Sequence, residues 1–261
     1  MSSTPALYVQ ALPCFTDNYI WLLETAAGRW VVDPGDAAPV LAVLAAGGPP
    51  LLGVLVTHRH ADHIGGIPAL LARHPVPVLG PAEAGNVISE LLAGGESLTL
   101  PGLGRVEVIP VGAHTHGHLA YHLPDAGMLF CGDTLFSAGC GRLFDGTADD
   151  LQAALTRINA LPAATRIYPT HEYTAANLRF AAVVEPANED IRAHQLQVAA
   201  WRAKNSPSLP TTLALERLIN PFLRVEQPSV VTAVRHHGEA EMSSTRDTLA
   251  ALRAWKDIFA G

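Results

Sequence analysis

Leu51-Leu52-Gly53-Val54-Leu55-Val56-Thr57-His58-Arg59-His60-Ala61-Asp62-His63 is the stretch on which the fold turns. Its apolar half reads as a strand buried on both faces. Its polar half then releases three imidazoles and a carboxylate almost at once. Packing gives no reason for such a run, because unpaired polar groups are costly to bury. Imidazole and carboxylate are, however, the ligands that suit Zn, Fe or Mn. The stretch therefore predicts a metal centre at the end of a central strand.

Working outward, three more polar groups follow predicted strands. Ala113-His114-Thr115-His116-Gly117-His118 comes after a strand over 105–111. Gly132-Asp133-Thr134 comes after one over 128–131, and Pro169-Thr170-His171-Glu172-Tyr173 after one over 166–168. Loops held at strand ends by a rigid sheet are where binding groups gather. Other strands are expected over 7–12, 19–24, 29–33, 76–79, 97–100 and 119–123. Helices are expected over 37–46, 64–74 (closely packed at its start through Gly65-Gly66) and 86–93. Asp33, in Val31-Val32-Asp33-Pro34-Gly35, reads as a cap, a turn former or a partner for a ligand, the first two being commoner. Beyond His171 the spacing turns helical, over 175–184, 189–204, 212–219 and 244–259. Breaks fall at Ser206-Pro207-Ser208-Leu209-Pro210 and Asn220-Pro221. The expectation is an α/β core followed by a smaller helical region.

The chain has 261 residues, 49% of them hydrophobic, enough for a substantial core. A formal charge of −7 argues against nucleic acid or an anionic membrane as partner. Cys14, Cys131 and Cys140 form no C-x-x-C pair and are too few for a disulfide framework, which points to a reducing compartment. The start, 1–12, lacks the pattern of a secretory leader. The longest apolar region, 39–56, is broken by Gly47-Gly48-Pro49-Pro50 and is not expected to span a bilayer. A cytoplasmic protein is expected, and a monomer, since no long apolar stripe is left over. There is no G-x-S-x-G elbow and no G-x-x-x-x-G-K-[ST] loop, so serine-hydrolase and nucleotide chemistry lack local support.

The T-H-x-H-x-D-H run, the later H-T-x-G-H, Gly132-Asp133-Thr134-Leu135-Phe136 and Thr170-His171-Glu172-Tyr173 resemble the metallo-β-lactamase superfamily. Thr16-Asp17-Asn18-Tyr19, Ala138-Gly139-Cys140-Gly141-Arg142, Gly146-Thr147-Ala148 and Asn220-Pro221-Phe222 resemble its hydroxyacylglutathione hydrolase (glyoxalase II) branch. The resemblance implies a four-layer αββα sandwich of two mixed sheets. A metal hydrolase domain over 1–172 would be followed by a helical glutathione-binding domain over 173–261.

It also implies roles. His58, His60 and His114 would hold one divalent metal, Asp62, His63 and His171 a second, and Asp133 would bridge both. Zn is the first expectation, with Fe or Mn as alternatives that the same ligands accept. A hydroxide shared by the metals, with Asp62 and Asp133, would attack the thioester of S-(2-hydroxyacyl)glutathione, chiefly S-D-lactoylglutathione, as the second step of methylglyoxal detoxification. The thiolate leaves more easily than an amine, so a dedicated acid is less needed.

Arg142, Tyr173, Arg253 and Lys256 match the family's substrate-binding positions. His116 has no assigned role, and His118 reads as a hydrogen-bonding residue. His194, His236 and His237 are expected at the surface. Three departures from the family pattern are visible: Val111-Gly112-Ala113 before His114, Arg59 where many members have His, and Phe144 where some have Tyr. None removes a ligand. Competing readings are a mono-iron sulfur dioxygenase, a lactonase or β-lactamase, and a non-catalytic binding module. The filled ligand set and the cationic last helix speak against them.

Overall fold

A computed structural model describes residues 7–238 and 242–260; the start of the stretch read for a leader lies outside the described residues. One sheet runs in the order β1 (Tyr8–Cys14), β2 (Asn18–Thr25), β3 (Gly28–Val32), β4 (Leu51–Leu55), β5 (Val78–Pro81), β6 (Glu90–Leu92). Its first three strands are antiparallel, and β3 to β6 are parallel. The second sheet contains β7 (Ser97–Leu100), β8 (Gly104–Pro110), β9 (Leu119–Leu123) and β10 (Met128–Gly132). A small hairpin follows, β11 (Leu135–Phe136) and β12 (Gly139–Cys140). The second sheet is completed by β13 (Arg166–Pro169) and β14 (Thr211–Thr212), in the order β14-β13-β10-β9-β8-β7.

The helices are α1 (Ala37–Ala45), α2 (Ala61–Ile64), α3 (Ile67–Leu71), α4 (Ala148–Asn159), α5 (Thr174–Val184), α6 (Glu189–Arg202), α7 (Leu213–Ile219), α8 (Pro228–Gly238) and α9 (Thr245–Ile258). Among the described residues, no helix is long and apolar enough to cross a membrane.

Strand alternation builds the layers. On β2, Tyr19, Trp21 and Leu23 point between the sheets and meet Tyr121, Phe130 and Tyr168 of the second sheet. Ile20 and Leu22 point the other way, into a cluster with Val40 of α1 and Ile67 and Leu70 of α3. Behind the second sheet, Leu129, Cys131 and Ile167 pack with Leu151, Leu155 and Ile158 of α4, Phe180 of α5 and Leu249 and Leu252 of α9. The result is an α/β sandwich of four layers with a helical region at its end. Each fully buried Leu, Ile or Phe contributes about 1.5–3 kcal/mol. Shortening Leu55, which is fully buried between the sheets, would cost about 2–5 kcal/mol and loosen the strand end that carries His58.

Several expected elements move. The helix over 64–74 begins earlier, at Ala61, and breaks at Gly65-Gly66. There, a Cβ on Gly66 would fall 2.4 Å from the amide nitrogen of Ala37. Asp62 and His63 therefore sit on a helical turn rather than in a free loop. The helix expected over 86–93 is absent. A 3-10 turn, Ala82–Val87, is broken by Gly85 at φ 71°, and the extended chain after Ile88 pairs parallel to β5 as β6. The local spacing imitated a helix, and pairing with a neighbouring strand prevailed.

The strand expected over 76–79 is shifted to Val78–Pro81. Helix α8, opened by a proline, was not anticipated. His236 and His237 are exposed as expected, but His194 is buried against Trp201, because its helix packs α5 on that face.

Candidate metal centre

Four strand ends meet at one rim of the sandwich. β4 delivers His58, β8 leads to His114, β10 ends in Gly132 before Asp133, and β13 ends before His171. Gly132 has φ 49°, and a Cβ there would lie 2.4 Å from Thr57 Oγ1 and 2.8 Å from the His118 ring. Only glycine lets the chain turn so tightly and still aim Asp133 inward.

Three nitrogens converge on one side. His60 Nδ1 is 2.9 Å from His58 Nε2 and 3.0 Å from His114 Nε2. On the other side, Asp62 Oδ2 lies 3.5 Å from His63 Nε2 and 3.4 Å from His171 Nε2. Asp133 stands between the two groups. Its Oδ1 is 3.5 Å from His63 Nε2, and its Oδ2 is 3.5 Å from His114 Nε2 and 3.4 Å from His171 Nε2. All seven residues anticipated as ligands are thus brought together.

Two buried atoms aimed into this cluster, His63 Nε2 and Asp133 Oδ1, have no hydrogen-bond partner. Buried polar atoms are rarely left so, and imidazole with carboxylate is a ligand chemistry for divalent cations. The donor atoms of His58, His60 and His114, and those of Asp62, His63 and His171, lie within 4.8 Å of one another in each trio. The residues fit a dinuclear metal site.

The outer nitrogens of these rings are held differently on the two sides. His63 Nδ1 faces Asp33 Oδ2 at 3.0 Å, and His171 Nδ1 faces Asp17 Oδ1 at 2.8 Å. His58 Nδ1 meets the hydroxyl of Thr57 at 3.1 Å, and His114 Nδ1 the carbonyl of Arg142 at 2.9 Å. Asn18 donates to Asp62 Oδ2. Carboxylates back one trio and neutral groups the other.

Charge follows the same division in the metal-free chain. Burial opposes charge on His63 and His171, yet Asp133 with Asp33 pushes His63 up to about 10, and Asp133, Asp62 and Asp17 push His171 up to about 11. Burial, then His63 and His118, pushes His58 well below the ordinary histidine range. Burial also lowers His114. The hydrogen bond from His171 is the main reason Asp62 lies below the ordinary carboxylate range. His63 and His171 hold Asp133 down against its burial.

A cavity of about 540 Å³ opens from the cluster, lined by His60, Asp133, Arg142, Tyr173, Arg253 and Lys256 among others. The Tyr173 ring stacks on His171 at 4.7 Å. The exposed Phe144 packs edge-on against His60 at 5.2 Å and His114 at 5.1 Å. Arg142 is exposed, with Nε 3.6 Å from Asp257. Lys256 is half-buried, its Nζ over the rings of Phe180 and Phe259. Arg253 is buried. Its Nη1 donates to the Cys140 carbonyl at 2.8 Å and its Nη2 to Asp257 at 3.2 Å.

His116 is exposed and stands apart from the cluster, while His118 Nε2 accepts from the Asp133 amide at 3.1 Å. Arg59 grips Asp145 through two hydrogen bonds, of 2.6 and 3.0 Å.

Sequence reading gave Asp17 and Asn18 no role beyond their place in a family-like motif, and ranked Asp33 first as a cap or turn former. Their signal was present in T-D-N-Y and V-V-D-P-G, but contacts across the fold decide which carboxylate meets which imidazole.

Residues 15–171 match the metallo-beta-lactamase superfamily, and residues 172–259 match the family described as hydroxyacylglutathione hydrolase C-terminus. A hydroxyacylglutathione hydrolase of Ectopseudomonas mendocina is 46% identical over 257 residues, covering 97% of this chain and all of that protein. One of Dechloromonas aromatica is 48% identical over 267 residues, with the same coverage. Among solved structures, ETHE1 from Myxococcus xanthus shares the fold, with a TM-score of 0.63 at 22% identity over 96% of this chain and 98% of that one. TTHA1623 in a di-iron-bound form superposes with a TM-score of 0.59 at 26% identity, over 82% of this chain and 99% of that one.

Proposed function

The chain belongs to the hydroxyacylglutathione hydrolase family of the metallo-β-lactamase superfamily, and from that premise we propose how its pocket carries out the reaction. The reaction is hydrolysis of the thioester of S-(2-hydroxyacyl)glutathione, S-D-lactoylglutathione foremost, to the hydroxy acid and glutathione. It is the second step of methylglyoxal detoxification. His58, His60 and His114 would hold one divalent cation, Asp62, His63 and His171 the other, and Asp133 would serve both. Bound there, the cations would supply hydroxide at neutral pH and polarise the carbonyl oxygen.

The chain's own residues do the rest. Asp33 and Asp17 keep the rings of His63 and His171 turned inward. Phe144, lying on His60 and His114, keeps bulk water from one side of the centre. Arg142, Tyr173, Arg253 and Lys256 bind the glutathione moiety and fix the thioester against the metals. The departing thiolate, near pKa 8.5 or so, needs no dedicated acid.

The observation that carries this reading is that five members of the cluster, His60, Asp62, His114, Asp133 and His171, line one pocket together with Arg253 and Lys256 of α9. The test is metal content of the purified protein, together with the fall in thioester absorbance of S-D-lactoylglutathione. Asp133→Ala is expected to lose metal and most turnover; near-normal turnover would overturn the mechanism.

We assign Zn to the site first, on its histidine-rich ligands. Fe or Mn are the alternatives, and the di-iron form of TTHA1623 supports iron. Residues 1–172 act as the metal hydrolase domain and 173–261 as the glutathione-binding domain, although β14 of the second part joins β13 of the first. The same reading makes the protein a cytoplasmic monomer without nucleic-acid or membrane partners, supported by three unpaired buried cysteines and the acidic charge.

A further inference from the structure

We propose that Arg179, on α5, is a further substrate-binding residue that receives the γ-glutamyl carboxylate of the glutathione thioester. The inference rests on the hydrolase reading above and adds to it a host for the second carboxylate.

Glutathione ends in two carboxylates, which an extended tripeptide-sized molecule holds roughly 10 Å apart. One compact cluster cannot serve both. Lys256 and Arg253 lie on α9 and form one wall of the pocket. α5 forms the adjoining wall, where Ala176 and Asn177 line the cavity. Arg179 follows Ala176 by three residues, and such positions share a helix face. It therefore continues that wall outward by about one turn. Its neighbour Phe180 receives Lys256 Nζ over its ring at 5.2 Å, which sets the two helices side by side at this level.

Arg179 is exposed, and among the described residues no hydrogen bond or ion pair engages it. Other arginines of this chain are used structurally. Arg29, Arg224 and Arg253, for example, are tied to Glu24, Glu185 and Asp257. Arg142, Arg253 and Lys256 line the cavity and Arg179 is near enough to act on Lys256, with Asp257 the carboxylate that contacts Arg142 and Arg253. So strong a local excess of positive charge on a chain of net charge −7 marks a place for an anion. Lys256 feels that excess: burial first, then Arg253 and Arg179, push its ammonium down to about 8.

Which carboxylate goes where follows from charge. The glycine end is a simple anion and suits the half-buried Lys256. The γ-glutamyl end carries an ammonium beside its carboxylate, which the inner cations would repel. At the exposed rim, water and salt screen that ammonium while the Arg179 guanidinium grips the carboxylate.

The experiment compares S-D-lactoylglutathione with S-D-lactoyl-N-acetylcysteinylglycine, which keeps the glycine end and lacks the γ-glutamyl group. The blocked amine prevents migration of the acyl group from sulfur to nitrogen. With the metal-loaded protein, Arg179→Gln is expected to raise KM for the glutathione thioester about three-fold, the scale of one exposed ion pair, with kcat unchanged. KM for the truncated thioester should stay level, and Arg179→Lys should recover most of the loss. A rise of equal size with both thioesters, or with neither, overturns the assignment while leaving the hydrolase reading in place. If the unaltered protein cleaves neither thioester, both fall together.

Discussion

Asp33 Oδ2 lies 3.0 Å from Nδ1 of His63, and the same carboxylate accepts from both the amide and the hydroxyl of Thr57. One buried side chain thus fixes a ring of the metal cluster and the turn at which β4 releases His58. Its backbone is in the left-handed region, φ 52°, which Asp and Asn tolerate better than most residues.

Asp33→Asn keeps that conformation and removes the charge behind His63. Loss of an outer-shell partner of this kind costs about 10- to 100-fold in metal affinity. The expected outcome is that one of two ions is lost preferentially on dialysis against a chelator, with the second retained. Metal analysis after graded dialysis checks this. Equal retention of both ions by the variant and the unaltered protein would refute it.

Lys256 predicts a pH dependence of binding. Burial is the main cause of its lowered pKa, about 8, with Arg253 and Arg179 adding to it. Below that value the ammonium is charged and attracts a carboxylate; above it the charge is lost. KM for S-D-lactoylglutathione is therefore expected to be level below pH 8 and to rise above it, while kcat changes little over that interval. Lys256→Met should flatten the rise, and a steep rise that survives in the variant would place the titrating group elsewhere.

Arg253 is committed to the protein as well as to the pocket. Its Nη1 holds the Cys140 carbonyl, and Cys140 precedes the segment that carries Arg142. Arg253→Ala should raise KM, and it should also lower the melting temperature, since a buried carbonyl loses its donor at a cost of about 1–3 kcal/mol. Thermal unfolding alongside kinetics separates the two effects. A raised KM with an unchanged melting temperature would show the anchoring to be unimportant.

What the sequence displayed and what it hid have a common physical basis. The ligands were legible because their spacing is local: His58, His60, Asp62 and His63 come within six residues, and His114, Asp133 and His171 each follow an apolar strand. The partners of those ligands were not, because Asp33 meets His63 across thirty residues and Asp17 meets His171 across 154. The same distinction explains β6. Val87 and Ile88 carry no local mark that opposes a helix strongly, and only the waiting edge of β5 draws Glu90–Leu92 into a strand. His194 misled for a related reason. A histidine in a polar helix looks exposed until the neighbouring helix is in place.

Glu216 shows how the helical region holds the pocket, and it yields the last prediction. This carboxylate on α7 is fully buried. It accepts from Ser137 Oγ at 2.8 Å, the Ala138 amide at 2.8 Å, Thr211 Oγ1 at 2.7 Å and Asn220 Nδ2 at 3.0 Å. Asn220 in turn donates to the carbonyls of Phe136 and Gly139, so α7 grips the hairpin β11–β12 beside the metals. Burial, the largest influence, raises the Glu216 pKa above its ordinary value, and the four hydrogen bonds only partly counter it. The sign then follows. An acid whose folded pKa exceeds its unfolded one favours folding when protonated, so stability falls as pH rises from the unfolded pKa through the folded one. Glu216→Gln keeps the shape, and its amide can donate to the two hydroxyls. It should remove that part of the pH dependence, whereas Glu216→Ala should cost about 3 kcal/mol or more at every pH by leaving the buried donors unmet. Denaturant unfolding of the three proteins between pH 4.5 and 7.5 or so checks this. Parallel pH profiles for the unaltered protein and Glu216→Gln would mean that Glu216 stays ionised throughout, held by its four donors.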